Sequence, residues 1–305
     1  MFKDILVPLD GSRFAEFALP AALGIAERSG GRIRLLSAVT EVPPVPFVEG
    51  EDGAVKGWFA EARSRTAQYL EDVGERLQEA GLSAEPETKV LVGPAVRMLA
   101  KEIETTHPDL VVMTTHGRGR LERAWVGSVT DGLLRRSASP LLLVRPEKDG
   151  EVDLGRTPAF QDILVPLDGS ETAEAILGPA EELASLYESR LSLVAVLPHP
   201  FPMSSTYLPH VVGEAYDAEE QKKSFRSYLE GVRGRVNKVE RVTVREAEDA
   251  ARGILEEVRD SSADLVAMSS HGRSGVARVV LGSVTDKVIR GAELPILVCR
   301  IIEED

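Results

Sequence analysis

The sequence predicts an α/β fold built from two Rossmann-like domains in tandem, each a doubly wound, five-stranded parallel sheet. Three observations predict it: the length of 305 residues, a block repeat half-way along the chain, and short apolar runs alternating with longer helix-like segments. At roughly 100–200 residues per domain, the length suits two domains. Strands that alternate with helices form a parallel sheet that is covered on both faces.

The repeat divides the chain into two copies. Residues 4–12 recur without change as residues 162–170. Residues 127–131 likewise return, identical, as residues 282–286. A repeat this long indicates a duplicated domain rather than a solenoid. The expected domains are residues 1–147 and 160–305, joined by a linker at residues 148–159.

The first helix and its flanking strands follow from apolar runs and end signals. Residues 5–9 are expected to form a buried strand, because their apolar run is almost unbroken. Ser12 is a natural helix N-cap with Glu16 in the first turn, and Gly30 is a natural helix end. Residues 33–39 form the second predicted strand.

The middle of each copy is predicted from prolines and glycines. A proline-rich loop, residues 42–57, should precede a long helix that stops at Gly81. Residues 88–92 are expected to be the third strand, followed by a helix at 94–105 that opens with proline. Residues 110–114 form the fourth predicted strand.

A glycine-rich loop then leads to the last helix and strand of the copy, expected at residues 128–137 and 141–145, and residues 163–301 repeat the whole order. The last strands, 141–144 and 296–298, are apolar and should each lie at a sheet edge. Because unpaired apolar edges favour aggregation, we expect these two strands to pair about a pseudo-twofold axis. The chain would then be an intramolecular pseudo-dimer, and a further homodimer stays open.

Charge and composition narrow the possible partners. Lys and Arg number 36 against 49 Asp and Glu, a net charge of −13, which disfavours nucleic acid and anionic membranes as partners. The single cysteine, Cys299, excludes an intramolecular disulfide and a cysteine-rich zinc site. Residues 17–26 are the longest uncharged stretch near the start, about half a membrane span, and Asp4 interrupts any signal-peptide pattern. We expect a cytoplasmic protein.

The first candidate site loop follows the first strand of each copy. In open parallel sheets, ligands bind beyond the carboxyl ends of the strands, where the strand order reverses. Asp10, and Asp168 in the second copy, could accept hydrogen bonds from a ribose hydroxyl or an adenine amino group. An equally good interpretation is a turn-forming carboxylate before Gly11.

The second candidate loop follows the fourth strand. Gly117 and, after nine residues, Gly127-Ser128 at a helix start offer backbone amides and a hydroxyl to an anion. Ser128 and Thr130 add hydroxyl donors. The alternative is an ordinary loop-to-helix turn with a serine in the cap region. Neither a Walker lysine motif nor a dinucleotide-type glycine motif opens a helix here.

Together these loops resemble the universal stress protein family in its tandem two-domain form. The resemblance covers nearly the whole chain, in the same order twice. In the first copy it is carried by residues 4–12, 109–113, 116–119, 127–130 and 140–144, and in the second by residues 162–170, 264–268, 271–273, 282–285 and 295–298.

The resemblance implies an ATP site, with or without Mg²⁺, in each copy. Family members that bind nucleotide carry Gly-x-x-Gly, nine residues, then Gly-Ser/Thr. The glycines and hydroxyl residues would surround the phosphates, the aspartate would lie by the ribose and adenine, and Pro, Ala and Met would shape the base pocket. The implied residues are Pro8, Asp10, Ala38, Met113, Gly117, Gly127, Ser128, Val129 and Thr130, then Pro166, Asp168, Ala195, Met268, Gly272, Gly282, Ser283, Val284 and Thr285.

The expected function is a stress-response regulator or sensor that binds ATP or a related adenine nucleotide in one or both domains. The first glycine of the pattern is replaced by Thr114 and Ser269, and some family members bind no nucleotide. The alternative is therefore a nucleotide-free interaction module with structural glycine loops. No catalytic residues are expected, since no Ser-His-Asp order, cysteine nucleophile or base near the γ-phosphate is evident, and slow ATP hydrolysis stays open. Adenylate transfer ranks third, because only fold analogy supports it.

Overall fold

The computed structural model describes residues 2–40, 52–115, 126–146, 150–199, 218–270 and 281–300. The strands and helices of the first copy are β1 (Asp4–Pro8), α1 (Arg13–Glu16), α2 (Leu19–Ser29), β2 (Arg32–Val39), α3 (Asp52–Glu79), β3 (Glu87–Val92), α4 (Ala95–Thr106), β4 (Leu110–Thr114), α5 (Ser128–Leu134) and β5 (Leu141–Val144). Those of the second copy are β6 (Asp162–Pro166), α6 (Glu171–Glu174), α7 (Leu177–Tyr187), β7 (Arg190–Pro198), α8 (Ala218–Arg233), β8 (Val239–Ala247), α9 (Ala250–Asp260), β9 (Leu265–Ser269), α10 (Ser283–Gly291) and β10 (Ile296–Cys299).

One ten-stranded sheet runs through both copies, in the order β3-β2-β1-β4-β5-β10-β9-β6-β7-β8. All pairs within a copy are parallel, which confirms the predicted doubly wound α/β class. The pair β5–β10 is antiparallel, with Leu142 opposite Leu297 and Leu143 opposite Ile296. The predicted pairing of the two last strands is therefore confirmed, and its antiparallel sense is the one that a twofold relation between the copies requires.

Two apolar cores cover the two faces of the sheet. Because side chains alternate along a strand, Ile5 and Val7 enter one core while Leu6 enters the other. The core that contains Ile5 lies under α2 and α7, is called the α2–α7 core, and also contains residues of α3 and α8. The core that contains Leu6 lies under α4 and α9, is called the α4–α9 core, and also contains residues of α5 and α10. Each core draws residues from both copies, and Leu142 and Leu297 meet in the α2–α7 core. The two copies therefore share their interior.

The predicted end signals of the first helices act as expected. Ser12 is the N-cap of α1, and its hydroxyl accepts the N–H of Ala15 at 3.3 Å. Gly30 ends α2 in the left-handed region with φ of 60°, where glycine has no Cβ to clash, and its N–H donates to the carbonyl of Ala26. Glu188 ends α7 in the same way with φ of 57°.

Most predicted element boundaries agree with the structure to within three residues, and the start of the long helix differs most. The predicted loop at 42–57 overlaps α3, which begins at Asp52. Gly53 and Gly57 favoured a loop in the sequence, but a glycine costs a helix interior only about 1 kcal/mol relative to alanine. Two glycines are therefore compatible with the first turns of a 28-residue helix.

Helices α2 and α7 meet beside the segment that joins the copies. Gly24 makes room there for Thr157, since a Cβ on Gly24 would lie 2.8 Å from the Thr157 Cβ. The centres of the Tyr187 and Phe160 rings are 5.1 Å apart. The Arg28 guanidinium lies over the Tyr187 ring, 4.4 Å from its centre. Among the described residues, the Tyr187 hydroxyl is buried without a hydrogen-bond partner.

Replacing Tyr187→Phe should therefore stabilise the protein by about 1 kcal/mol, because an unsatisfied buried hydroxyl carries a desolvation cost. Burial raises the pKa of Tyr187 to about 12, against the opposing effect of the Arg28 guanidinium. Because the folded-state pKa is raised, the unfolded chain ionises first above pH 10, and the wild type loses further stability as the pH rises towards 12. Urea unfolding at pH 7 and pH 11 should show the variant gaining at both, and gaining more at pH 11. A loss at pH 7 would show that the hydroxyl has a partner.

Candidate functional site

The strand order reverses between β1 and β4 in the first copy and between β6 and β9 in the second. Both loops chosen from the sequence leave the carboxyl ends of these neighbouring strands: Asp10 follows β1, and Gly127 lies between β4 and α5. Parallel register pairs Ile5 with Leu110 and so aligns the two strand ends. The structure therefore brings the two predicted loops together at the switch point, the place where ligands bind in this class of sheet.

The second loop enters its helix through a fixed turn. We call residues 127–128 and 282–283 the glycine–serine turns. The Gly127 N–H donates to the Thr115 carbonyl at 2.7 Å, and the Thr130 hydroxyl donates to the Thr114 carbonyl at 2.9 Å. The second copy repeats both bonds at 2.9 Å each, from Gly282 to Ser270 and from Thr285 to Ser269. These bonds fix the start of each helix against the end of the neighbouring strand.

The hydroxyl of Thr130 has a different role from the expected one. The sequence placed it towards the phosphates, but Thr130 is 3% exposed and its single hydroxyl hydrogen goes to the Thr114 carbonyl. Thr285 is bonded in the same way. The hydroxyls exposed at the helix starts are those of Ser128 and Ser283. Val129 and Val284 are partly buried, with their side chains packed against the α4–α9 core.

Asp10 forms the turn that the alternative interpretation predicted. Its Oδ1 accepts the Ser12 N–H at 2.9 Å. Asp168 accepts the Ser170 N–H at 3.0 Å and the Ser170 hydroxyl at 2.6 Å. A carboxylate has about four acceptor sites, so this turn is compatible with a ligand hydroxyl. The bonds orient each carboxylate at its strand end.

The predicted base-pocket residues lie near the same ends, with one correction. Met113 and Met268 are each 5% exposed and belong to the α4–α9 core, against which Ala38 also packs. Pro8 is half-buried and Pro166 is buried.

Ala195, by contrast, is fully buried in the α2–α7 core, on the opposite face of the sheet. The registers pair Pro8 with Leu36 and Pro166 with Val194, so the counterpart of Ala38 is Val196. Val196 packs against the α4–α9 core, as Ala38 does. Ala195 and Val196 are neighbours in a strand, so their side chains point to opposite faces of the sheet.

Thr114 and Ser269, which replace the first glycine of the family pattern, have small side chains that are buried at the strand ends. Thr114 and Ser269 are each 6% exposed at the ends of β4 and β9. The Ser269 hydroxyl donates to the Thr172 carbonyl at 2.6 Å, and so ties β9 to α6 across the switch point. Gly117 and Gly272, the middle glycines of the pattern, lie outside the described residues.

A model of the universal stress protein family matches residues 1–145 and, a second time, residues 159–300. The chain belongs to the universal stress protein family.

Curated relatives and solved structures agree with a tandem form. Universal stress protein Rv1996 of Mycobacterium tuberculosis is 27% identical over 98% of this chain and 96% of its own. Rv2005c of the same species is 30% identical, but that match spans 63% of this chain and only 62% of the relative's length. A universal stress protein from Archaeoglobus fulgidus, 20% identical, covers 99% of this chain and 97% of its own with a TM-score of 0.67, which shows the shared fold.

In this family member, the short helix after each aspartate turn is also held by a tyrosine of the long helix and by an arginine that lies in that helix in the first copy and just after it in the second. The Tyr69 hydroxyl donates to Glu16 Oε1 at 3.0 Å, and Arg76 donates to Glu16 Oε2 at 2.8 Å. Tyr228, Arg235 and Glu174 repeat the arrangement at 2.9 and 2.5 Å. Glu16 and Glu174 end the short helices that follow the aspartate turns. The repeated spacing of Tyr and Arg, seven residues apart in both copies, was the sequence signal for this contact.

Replacing Tyr69→Phe should destabilise the protein by about 1–2 kcal/mol, because the charged Glu16 carboxylate loses the hydrogen bond that the tyrosine hydroxyl donates. Burial, then the neighbouring Glu16 carboxylate, raises the pKa of Tyr69 well above its usual range. The tyrosine's contribution should therefore persist up to pH 10 and decline only above it. Urea unfolding at pH 8 measures the loss, and Tyr187→Phe is the matched control, with the opposite expected sign. An unchanged midpoint would contradict a role for this hydrogen bond.

The described residues contain no further feature that points to metal or thiol chemistry. No group of three His, Cys, Asp or Glu side chains is placed there to hold a metal ion. Cys299 is half-buried, and burial raises the pKa of its thiol, which disfavours the thiolate. In the part of the chain that the structure describes, helices are too short or too polar to span a membrane.

Proposed function

We propose that this protein is a stress-response regulator or sensor that binds ATP, or a related adenine nucleotide, at the switch points of one or both domains. One observation carries the proposal. In each copy the aspartate turn and the glycine–serine turn lie at the ends of neighbouring strands, held there by side-chain hydrogen bonds. A switch point bordered by an oriented carboxylate and by an exposed helix start suits a ligand with both hydroxyl and anionic groups.

The residues present fit the parts of a nucleotide. Backbone N–H groups at the helix start and the exposed Ser128 hydroxyl would donate to phosphate oxygens, which is important in a protein of net charge −13. The Asp10 carboxylate would accept a ribose hydroxyl. The apolar Met113, with Ala38 in the first copy and Val196 at the equivalent place in the second, would border the base. If Mg²⁺ accompanies the nucleotide, the phosphates supply part of its ligand shell.

The second candidate function, a nucleotide-free interaction module, is favoured by a specific contact. The Ser269 hydroxyl bridges β9 to the Thr172 carbonyl at 2.6 Å, where the family pattern has a glycine without a side chain. The bonded hydroxyl occupies space at the switch point of the second copy that a glycine would leave to a ligand. In this candidate the second copy binds no nucleotide.

The deciding experiment identifies what the purified protein carries. Heat-denatured protein should release an adenine nucleotide, detected by liquid chromatography and mass spectrometry. Calorimetry with ATP, ADP and AMP then gives the preferred nucleotide and the number bound per chain. No released nucleotide together with no binding at about 1 mM would overturn the proposal and favour the interaction module.

A further inference from the structure

Two arginines cross from one copy to the other beside the strand pair β5–β10. Arg145 directly follows β5, and its Nη1 donates to the backbone carbonyl of Ala292 at 2.7 Å. Arg300 directly follows β10, and its Nη1 donates to the backbone carbonyl of Arg135. Arg135 and Ala292 are the C-cap residues of α5 and α10, the helices that begin at the two glycine–serine turns. Each copy thus holds the far end of the other copy's site helix.

These contacts are the kind that fix a helix end. The last carbonyls of a helix lack partners within the helix, and a cation there is favoured by the helix dipole. The two acceptors are not equivalent in sequence, because the repeat aligns Arg135 with Arg290 rather than with Ala292. Helix α10 has nine residues and α5 has seven, and each arginine still bonds to a C-cap. The arginines therefore match the helix ends rather than a sequence position.

Hydrogen bonds also connect each arginine to the glycine–serine turn of its own copy. The Gly282 N–H donates to the Ser270 carbonyl at 2.9 Å, and the Ser270 N–H donates to the Cys299 carbonyl at 2.8 Å. Arg300 is the next residue after Cys299 and bonds to the end of α5. The mirrored route runs from Gly127 to Thr115 at 2.7 Å, from Thr115 to Val144 at 3.0 Å, and through Arg145 to Ala292. A continuous set of contacts thus joins the two glycine–serine turns in both directions.

The site helices also carry matched ion pairs. Arg135 bonds to both oxygens of Asp131 at 3.0 and 2.9 Å, and Arg290 bonds to both oxygens of Asp286 at 2.8 Å. Both aspartates lie in the first helical turn, close to the proposed phosphates, so the arginines offset their negative charge. The pKa of Arg135 is raised first by Asp131 and also by Asp286 of the other copy. The charged groups of the two helices are thus close enough to act on one another, Asp286 raising and Arg290 lowering the pKa of Arg135.

We propose that Arg145 and Arg300 are positioning residues that act in trans: each fixes the site helix of the other domain, so that the two nucleotide sites are coupled. This inference rests on the proposed function for its ligand, although the helix positioning itself does not require nucleotide. Coupling of this kind needs an element that both sites bias, and each site helix, bonded at both ends, is such an element.

The test uses full-length protein with one site disabled at a time. In the Gly282→Asp background only the first-copy site can bind, and Arg300→Gln should weaken ATP binding there roughly 2- to 30-fold, while Arg145→Gln changes it less than about twofold. In the Gly127→Asp background the two arginine variants should exchange effects. Arg300→Lys, which keeps the charge and can still donate to a carbonyl, should restore part of the affinity. Arg136→Gln is the comparison in cis, because Arg136 follows α5 in its own copy and donates to the Gly132 carbonyl of that helix.

A measurement without nucleotide separates this inference from the proposed function. Hydrogen exchange should become faster in α5 for Arg300→Gln and in α10 for Arg145→Gln, with the other helix unchanged. If this crossed pattern appears but wild-type protein binds no ATP, the proposed function fails and the trans positioning stands. If each variant affects the helix of its own copy, both helices equally, or neither, the positioning in trans is overturned.

Discussion

Calorimetry of the wild-type protein with ATP is expected to give about two nucleotides per chain, one for Gly127→Asp or Gly282→Asp, and none for the double variant. Aspartate adds bulk and negative charge where the phosphates would lie. Losing two charge-assisted hydrogen bonds of about 1.5–3 kcal/mol each would weaken binding by roughly two to four orders of magnitude. If Ser269 closes the second site, the wild type gives one nucleotide and Gly282→Asp leaves that value unchanged.

The backbone at these glycines allows the substitutions without strain. Gly127 and Gly282 are helix N-caps with φ of −59° in both copies, a conformation that any residue adopts. Aspartate is among the preferred N-cap residues, so the substitution should stabilise the helix start rather than unfold it. Gly127→Asn is the matched control, with similar bulk and no charge, and its retained fraction of binding separates steric from electrostatic loss. Undiminished binding by the folded double variant would refute this placement of the phosphates.

Much of the fold could be predicted because its signals are local and occur twice. The identical block at 4–12 and 162–170 set the duplication, and the capping roles of Ser12 and Gly30 follow from their own chemistry. The pairing of β5 with β10 followed from two apolar strands that would otherwise be exposed edges. The start of α3 was harder to place, because glycine only weakly disfavours a helix.

The candidate site was predicted less completely, since its details depend on contacts between distant segments. The pattern placed Thr130 by the phosphates, but only the packed structure shows that its hydroxyl bonds to Thr114. The sequence indicated Ala195 without a strand register, and the pairing of Pro166 with Val194 places the Ala195 side chain on the opposite face from Met268. Arg145 and Arg300 carry no motif, because their partners lie 147 and 165 residues away in the chain.

The strand pair at the centre of the sheet should be the most sensitive point for stability. Leu297 is 1% exposed, lies opposite Leu142, and belongs with it to the α2–α7 core. We expect Leu297→Asp to lower the free energy of unfolding by about 4–5 kcal/mol, because the substitution leaves a cavity and buries an unpaired carboxylate. That loss is a large part of the 5–15 kcal/mol typical of a folded domain.

Burial should raise the folded-state pKa of the introduced carboxyl above its unfolded value of about 3.9. The loss should therefore grow as the pH rises above 4 and be smaller in mild acid than at pH 7. Urea unfolding at pH 4.5 and pH 7 measures it, with Leu297→Met as the volume-conserving control, expected to cost under about 1.5 kcal/mol. Because both cores draw residues from both copies, the wild type should unfold in one transition, and Leu297→Asp should separate that transition into two. A wild type that already unfolds in two steps, or a variant within about 1 kcal/mol of it, would show that the copies are stable without their shared strand pair.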